Sequence, residues 1–310
     1  MSLQDTASRL ERILRSGRFA VTGEIGGRRS AEGESSAASA RAQIGYVDAL
    51  NVGDNPVATA HKSPVAEASF VAAAGIEPIL QLTLRDRNRV ALVSDLLGGW
   101  AVGARNLLCL SGDPMSVGET PDATEVRDLA VPDLVRLAVG LREEGRLPWG
   151  AAIESPPRFF VGVGDAPLAE PYDVGRLEAK LDAGAHFVQT QIAYDVEAIE
   201  AWADVVRARG VFERAFVLVG TAPLQSLKTA RWMHDRLPGV VVPAAFLEAL
   251  EEAEPGSEAE VGIGITVDVV RRLRQIPGVA GVHVMAVGHE EAVRRVVDGA
   301  GLLPRPTGAA

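Results

Sequence analysis

Residues 180–210 read KLDAGAHFVQTQIAYDVEAIEAWADVVRARG and hold the unit from which the whole chain is built. The middle of that stretch, HFVQTQ (186–191), is a short β-rich run, and its end, VEAIEAWADVVRARG, places apolar residues at helical spacing. A strand, an amphipathic helix and then a second strand, FVLVG (216–220), make a βα unit of a parallel sheet. Outward from there the alternation recurs at FAVTGE (19–24), VDALNV (47–52), EPILQLT (77–83), NLLCL (106–110), FFVGV (159–163) and VHVMAV (282–287). Eight such strands, interleaved with helices such as SPVAEASFVAAAG and LVRLAVGLREEG, predict an α/β chain folded as a closed (β/α)8 TIM barrel. An open dinucleotide-binding sheet has no support, because no Gly-x-Gly-x-x-Gly opens a helix after the first strand.

Composition agrees with one large core. Of 310 residues, 47% are hydrophobic and only 23% charged, so the chain can bury apolar surface and is not of disordered type. Residues 1–310 are expected to form a single domain, with a helical extension at 1–17 and a tail at 303–310. The formal net charge of −10 argues against a nucleic-acid partner, which needs a basic footprint. No stretch approaches the length of a membrane span, and Asp5 and Glu11 interrupt what would be the apolar part of a signal peptide, so a cytoplasmic location is expected. The lone Cys109 rules out an internal disulfide framework and reads as a core residue. His61, His186, His234, His283 and His289 show no ligand spacing, so no metal is expected. Lys62, Lys180 and Lys228 all fall in helices or helix starts, which disfavours a Schiff-base mechanism. The irregular stretches 111–126 and 144–158 are expected to wall the active face, and 239–260 to add a short helix.

In such a barrel, chemistry sits at the C-terminal ends of the strands. Those positions hold Glu24, Asn51 with Asp54 and Asn55, Thr83 with Arg85-Asp86-Arg87-Asn88, Asp113, Gln191 and Thr221. Glu24 ends an apolar strand. A carboxyl partly desolvated there suits a general acid, and the alternative is a rim carboxylate paired with Arg28 or Arg29. Asp113 is either a site residue or part of a Gly-Asp-Pro turn. Gln191 either presents its amide to a heterocycle or holds its own loop. The run RDRN either binds phosphate or starts a helix through Asp86 or Asn88.

Taken in order, VTGEIG, TLRDRN, NLLCLSGDP, KLDAGAHFVQTQIAYD and VGTAPLQS resemble the motifs of the methylenetetrahydrofolate reductase family, over roughly residues 18–300. The block from Lys180 to Gln191 is the most specific of them. The resemblance implies a flavin-dependent barrel that reduces 5,10-methylenetetrahydrofolate to 5-methyltetrahydrofolate with NADH or NADPH in a ping-pong scheme. By position, Glu24 matches the general acid and Asp113 the aspartate between flavin and folate. Asn51, Gln191 and Leu227 match folate-side positions, Leu227 standing where some relatives carry a stacking phenylalanine. Thr83, Arg85, Asp86, Ser111, Gly112, Asp113, Gly164 and Lys180 match the flavin side, for FAD or FMN. The alternatives are a reductase that takes hydride directly from the nicotinamide or electrons from a partner subunit, and a non-catalytic flavin- or pterin-binding barrel. Apolar outer helices allow self-association as a homo-oligomer.

Overall fold

Local sequence starts half of the helices. In the computed structural model, which describes residues 8–306, the side chains of Ser8, Ser63, Asn88, Asp173, Asp195 and Ser226 each accept a hydrogen bond from a backbone N–H in the first turn that follows. The helices are α1 (Arg9–Arg15), α2 (Glu34–Arg41), α3 (Pro64–Ala73), α4 (Arg89–Ala101), α5 (Val131–Glu144) and α6 (Val174–Asp182). They continue with α7 (Val196–Ala208), α8 (Val211–Arg214), α9 (Leu227–Arg236), α10 (Ala244–Glu251), α11 (Glu258–Leu273) and α12 (Glu290–Gly299). Asn88 thus settles one reading of RDRN, since its side chain caps α4.

The strands are β1 (Ala20–Ile25), β2 (Ala49–Val52), β3 (Pro78–Thr83), β4 (Asn106–Leu110), β5 (Phe160–Asp165), β6 (Phe187–Ile192), β7 (Phe216–Thr221) and β8 (Val279–Val284). They close in sequence order into a parallel eight-stranded barrel, β8 pairing back onto β1. The fold is the (β/α)8 barrel expected from the sequence. Its outer core is the aliphatic layer between strands and helices. Inside, the lowest layer is apolar, with Ala20, Ile79, Leu108, Phe160, Phe187 and Leu218 packed against Leu10, Ile13 and Leu14 of α1. The N-terminal helix therefore plugs the floor of the barrel. Gly162 makes this layer possible, because a Cβ there would lie 2.2 Å from the Phe187 ring.

Two expectations need correction. The last strand lies three residues earlier than VHVMAV, because Gly281 belongs to it: a Cβ at that position would meet the Ala20 carbonyl oxygen at 2.5 Å. A glycine within a strand, admitted for close backbone approach, looks like a turn in sequence. The stretch 144–158 joins a helix to the following strand and so lies at the N-terminal end of the barrel, away from the strand ends that carry chemistry. Within the expected tail, Arg305 is buried and ion-paired with Asp48, while 307–310 lie outside the described residues, as do residues 1–7 of the expected extension. No helix among the described residues is long and apolar enough to cross a membrane.

His186, just before β6, accepts the Val161 N–H on Nδ1 at 3.0 Å and stacks on Phe160. Burial, with Arg142 nearby, pushes its pKa down to about 4. The folded state thus resists a proton that the unfolded chain takes up near pH 6.5. The stability that depends on neutral His186 is complete above about pH 6.5 and is lost as pH falls toward about 4, a decline of about 3 kcal/mol. Urea unfolding at pH 7 and 4.5 tests this. His186→Asn, which keeps an acceptor but does not titrate, should show a smaller difference between the two pH values, and an undiminished difference would refute the assignment.

Candidate active site

Strand register brings the polar side chains together. Parallel pairing sets Thr22 of β1 beside His283 of β8, and Glu24 of β1 beside Asn51 of β2. Inside the barrel, Asn51 Nδ2 donates to Gln189 Oε1 at 2.8 Å, and Gln189 Nε2 donates back to Asn51 Oδ1 at 3.2 Å. Gln189 Nε2 also donates to Thr22 Oγ1 at 3.0 Å. Thr22 Oγ1 lies 3.0 Å from His283 Nδ1, and His283 Nε2 lies 3.3 Å from Glu24 Oε2. Thr22, Asn51, Gln189 and His283 are each at most 3% exposed. Glu24, with 16% of its side chain accessible, is where this chain of contacts meets open space.

That space is a cavity of about 750 Å³ at the C-terminal mouth, lined on one side by Glu24, Asn51, Gln189 and His283. The opposite wall comes from Leu110 and Ser111 after β4, Val131 and Pro132 at the start of α5, the segment 164–173, and Arg176 and Lys180 of α6. There Tyr172 donates to Asp165 Oδ2 at 3.0 Å, and Lys180 Nζ donates to the Gly164 carbonyl at 2.6 Å. Burial pushes the Asp165 carboxyl up and the Lys180 ammonium down, each opposed in part by the other's charge. Arg176 is largely exposed, with Asp173 3.8 Å away. Cys109 is buried in β4, and burial pushes its thiol pKa up.

Of the residues singled out in the sequence, Glu24, Asn51, Ser111, Gly164, Lys180 and Gln191 line the cavity. Glu24 is not paired with either neighbouring arginine: Arg28 contacts Glu290 and Ser39, and Arg29 contacts Glu119. Gln191 turns partly inward on itself, its Oε1 accepting the Ile192 N–H at 2.9 Å while Nε2 reaches the Pro238 carbonyl at 3.4 Å. A bulge between β6 and β7 sets this orientation, with Thr190 Oγ1 accepting the Gly220 N–H.

Thr83, Arg85, Asp86, Gly112, Asp113 and Leu227 do not line it. Thr83 donates through N–H and hydroxyl to Asp54, which Arg87 also grips with two nitrogens. Arg85 is 1% exposed, ion-paired with Asp86 and bonded to the carbonyls of Asn55 and Asp113. Both arginines of RDRN therefore brace the loops after β2, β3 and β4 from within. Gly112, at φ +80°, packs on Thr83 and Arg85, and the exposed Asp113 carboxylate accepts the Val57 N–H at 2.8 Å. Leu227 opens α9, and its N–H donates to Glu258.

Sequence reading missed Thr22, Gln189, His283, Asp165, Tyr172 and Arg176. A signal for two of them was present. Residues i and i+2 share a face of a strand, so an inward Glu24 implies an inward Thr22, and an inward Gln191 implies an inward Gln189. Placing β8 three residues late hid His283 by assigning it to the start of a strand whose end it occupies.

The class follows from this geometry: a (β/α)8 barrel with an acid-bearing ligand cavity at the C-terminal mouth. The chain belongs to the methylenetetrahydrofolate reductase family, whose model matches residues 9–301. It is 27% identical over 240 residues to methylenetetrahydrofolate reductase 1 of Schizosaccharomyces pombe, an alignment covering 74% of this chain and 36% of that protein. It is 26% identical to the 5,10-methylenetetrahydrofolate reductase of Pectobacterium carotovorum subsp. carotovorum, covering 74% of this chain and 72% of that one. The alignments with the fungal and nematode relatives span about a third of their length, from 34% to 40%. Among solved structures, an uncharacterized protein from Clostridium thermocellum that binds two copies of 5-methyl-5,6,7,8-tetrahydrofolic acid superposes with a TM-score of 0.64. The superposition covers 95% of this chain and all of that one, and at 13% identity the likeness is one of fold.

Proposed function

We propose that this chain reduces 5,10-methylenetetrahydrofolate to 5-methyltetrahydrofolate, with NADH or NADPH as the source of hydride and a flavin, FAD or FMN, as its carrier. The observation that carries this reading is Glu24: a carboxyl in the cavity wall, held by His283 through Oε2 and bonded to no arginine, with Oε1 free of hydrogen bonds among the described residues. Ring opening needs an acid in such a place. As the bond from the methylene carbon to N10 breaks, its electron pair goes to that nitrogen, which takes the proton from Glu24. The carbon is left as an iminium on N5 and becomes the methyl group on receiving hydride. Asn51 and Gln191 line the same cavity; the Asn51 amide is bonded to Gln189, so Gln191 is the amide that would meet the pterin, by exchanging its 3.4 Å bond to the Pro238 carbonyl, and Asp113 is retained only as a residue of the loop beside the rim.

The cavity fits a flavin ring in size, lying within the range of about 300–1,000 Å³ common to small-molecule sites. Its wall from Leu110 to Pro132 is mostly apolar, and Ser111, Gly164 and Lys180 are the residues that would hold the ring. When bound, the flavin supplies hydride. A cleft holding one planar carrier and admitting nicotinamide and folate in turn accounts for a ping-pong order. Two observations favour a second reading, direct transfer from nicotinamide to folate: Arg85 and Asp86, matched to the flavin side by motif, are consumed by each other, and the lining holds no Phe or Trp and a single Tyr, Tyr172.

Colour separates the two. A purified protein that is yellow, bleaches anaerobically with NADH or NADPH and recovers its colour with methylenetetrahydrofolate supports the flavin reading. A colourless protein that oxidises the nicotinamide only with the folate present supports direct transfer, and absence of folate-dependent oxidation refutes both.

A further inference from the structure

The interior of a (β/α)8 barrel is ordinarily filled by branched apolar side chains. Here the layer above the floor holds Thr22, Asn51, Gln189 and His283, all buried. Burying polar groups is costly unless each is hydrogen-bonded. These four bond to one another in a line, and the line ends on one atom, Glu24 Oε2.

The direction of that line follows from its donors. The nitrogen of Gln189 donates to Thr22 Oγ1, so the proton of the Thr22 hydroxyl is left for the oxygen's other neighbour, His283 Nδ1. An imidazole whose Nδ1 accepts carries its proton on Nε2. That N–H then donates to Glu24 Oε2.

We propose that His283 is a positioning residue for Glu24: fixed as the Nε2–H tautomer by Thr22, Gln189 and Asn51, it holds one carboxyl oxygen and leaves Oε1 as the atom that delivers the proton. The inference rests on the reading of Glu24 as the acid. In the step itself the proton leaves Oε1 for the folate nitrogen, and the carboxylate that remains keeps its hydrogen bond from Nε2–H. His283 neither gains nor loses a proton.

The other titratable groups of the cavity, Cys109, Asp165, Tyr172, Asp173, Arg176 and Lys180, lie on β4, β5, α6 and the segment leading into it, and make no hydrogen bond to Glu24 or His283. Beyond β2, Asp54 is engaged by Arg87, and the backbone of Glu24 itself is held by Gln43 of the segment after α2. The strand on the other flank, β8, contributes His283 alone to this contact.

The test has two arms on the full chain. In ¹⁵N-histidine NMR of the unliganded protein at neutral pH, with His283 assigned through His283→Asn, Nε2 should carry the proton and Nδ1 should not, and the opposite tautomer would overturn the proposal. Kinetically, Thr22→Val removes the hydroxyl with little change of shape, whereas Thr22→Ser keeps it. Thr22→Val should lower kcat about tenfold with KM for the folate little changed, as loss of the bond that orients the acid requires. Thr22→Ser should restore kcat. A wild-type kcat in Thr22→Val would overturn the proposal, and if that variant does not fold, the tautomer decides. A wild-type protein that reduces no folate refutes the proposed function instead, and leaves the tautomer result standing by itself.

Discussion

Glu24→Gln lowers the rate of methylenetetrahydrofolate reduction by about 10²–10⁴-fold, the range expected when a positioned general acid is removed. Glutamine matches the shape of the side chain and can still accept the bond from His283 Nε2, so the cavity wall is preserved. What it lacks is a proton to give to the leaving nitrogen. The defect should therefore fall on kcat, while binding of 5-methyltetrahydrofolate, measured by calorimetry, changes little. Steps that need no such proton, such as reduction of a bound flavin by the nicotinamide, should survive. Retention of full folate turnover by Glu24→Gln would remove Glu24 from the mechanism, and loss of folate affinity with kcat intact would make it a binding residue.

At the other end of the barrel, Glu11→Ala should destabilise the fold by about 3–5 kcal/mol. Glu11 lies in α1, the helix that plugs the floor, and is 1% exposed. Arg142 of α5 reaches it with two nitrogens at 2.9 and 3.2 Å, and the same guanidinium donates to the Phe159 carbonyl at the entry to β5. Removing the carboxylate leaves the buried Arg142 with only the exposed Glu143, 3.1 Å from its Nε, as counterion and two buried nitrogens without their partner, which is the expensive way to break a buried pair. Glu34→Ala, which breaks the surface contact with Arg41, serves as control and should cost less than about 1 kcal/mol. Urea unfolding at neutral pH compares them, and equal losses would show that α1 is not anchored by this pair. Activity need not follow stability, since floor and mouth are at opposite ends of the strands.

The strands that could be read from sequence are those whose apolar runs are unbroken. NLLCL is β4 residue for residue, and FVLVG is β7 short of one threonine. The eighth strand was misplaced because its start contains Gly281, which in sequence looks like a break and in the barrel is the residue that lets β8 lie against Ala20. The site divides in the same way. Glu24 stood out because a carboxylate at the end of an apolar run is conspicuous. Arg85 stood out for an equally good local reason, yet its guanidinium is spent on Asp86 and two carbonyls. Local sequence shows that a charge is present and says nothing about which buried partner will consume it.

By itself, then, the sequence determined the eight strands, their order and their alternation with helices, because periodicity and capping act between residues a few positions apart. It also determined the family, through motifs spread from VTGEIG to VGTAPLQS, and the placing of an acid at the end of the first strand. Tertiary structure alone decided that His283 and Thr22, 261 residues apart, share one hydrogen bond, and that Gln189 meets Asn51 across the barrel. Those contacts depend on closure of β8 onto β1 and on strand register. Both are set by packing of the whole barrel, and neither leaves a local trace in the chain.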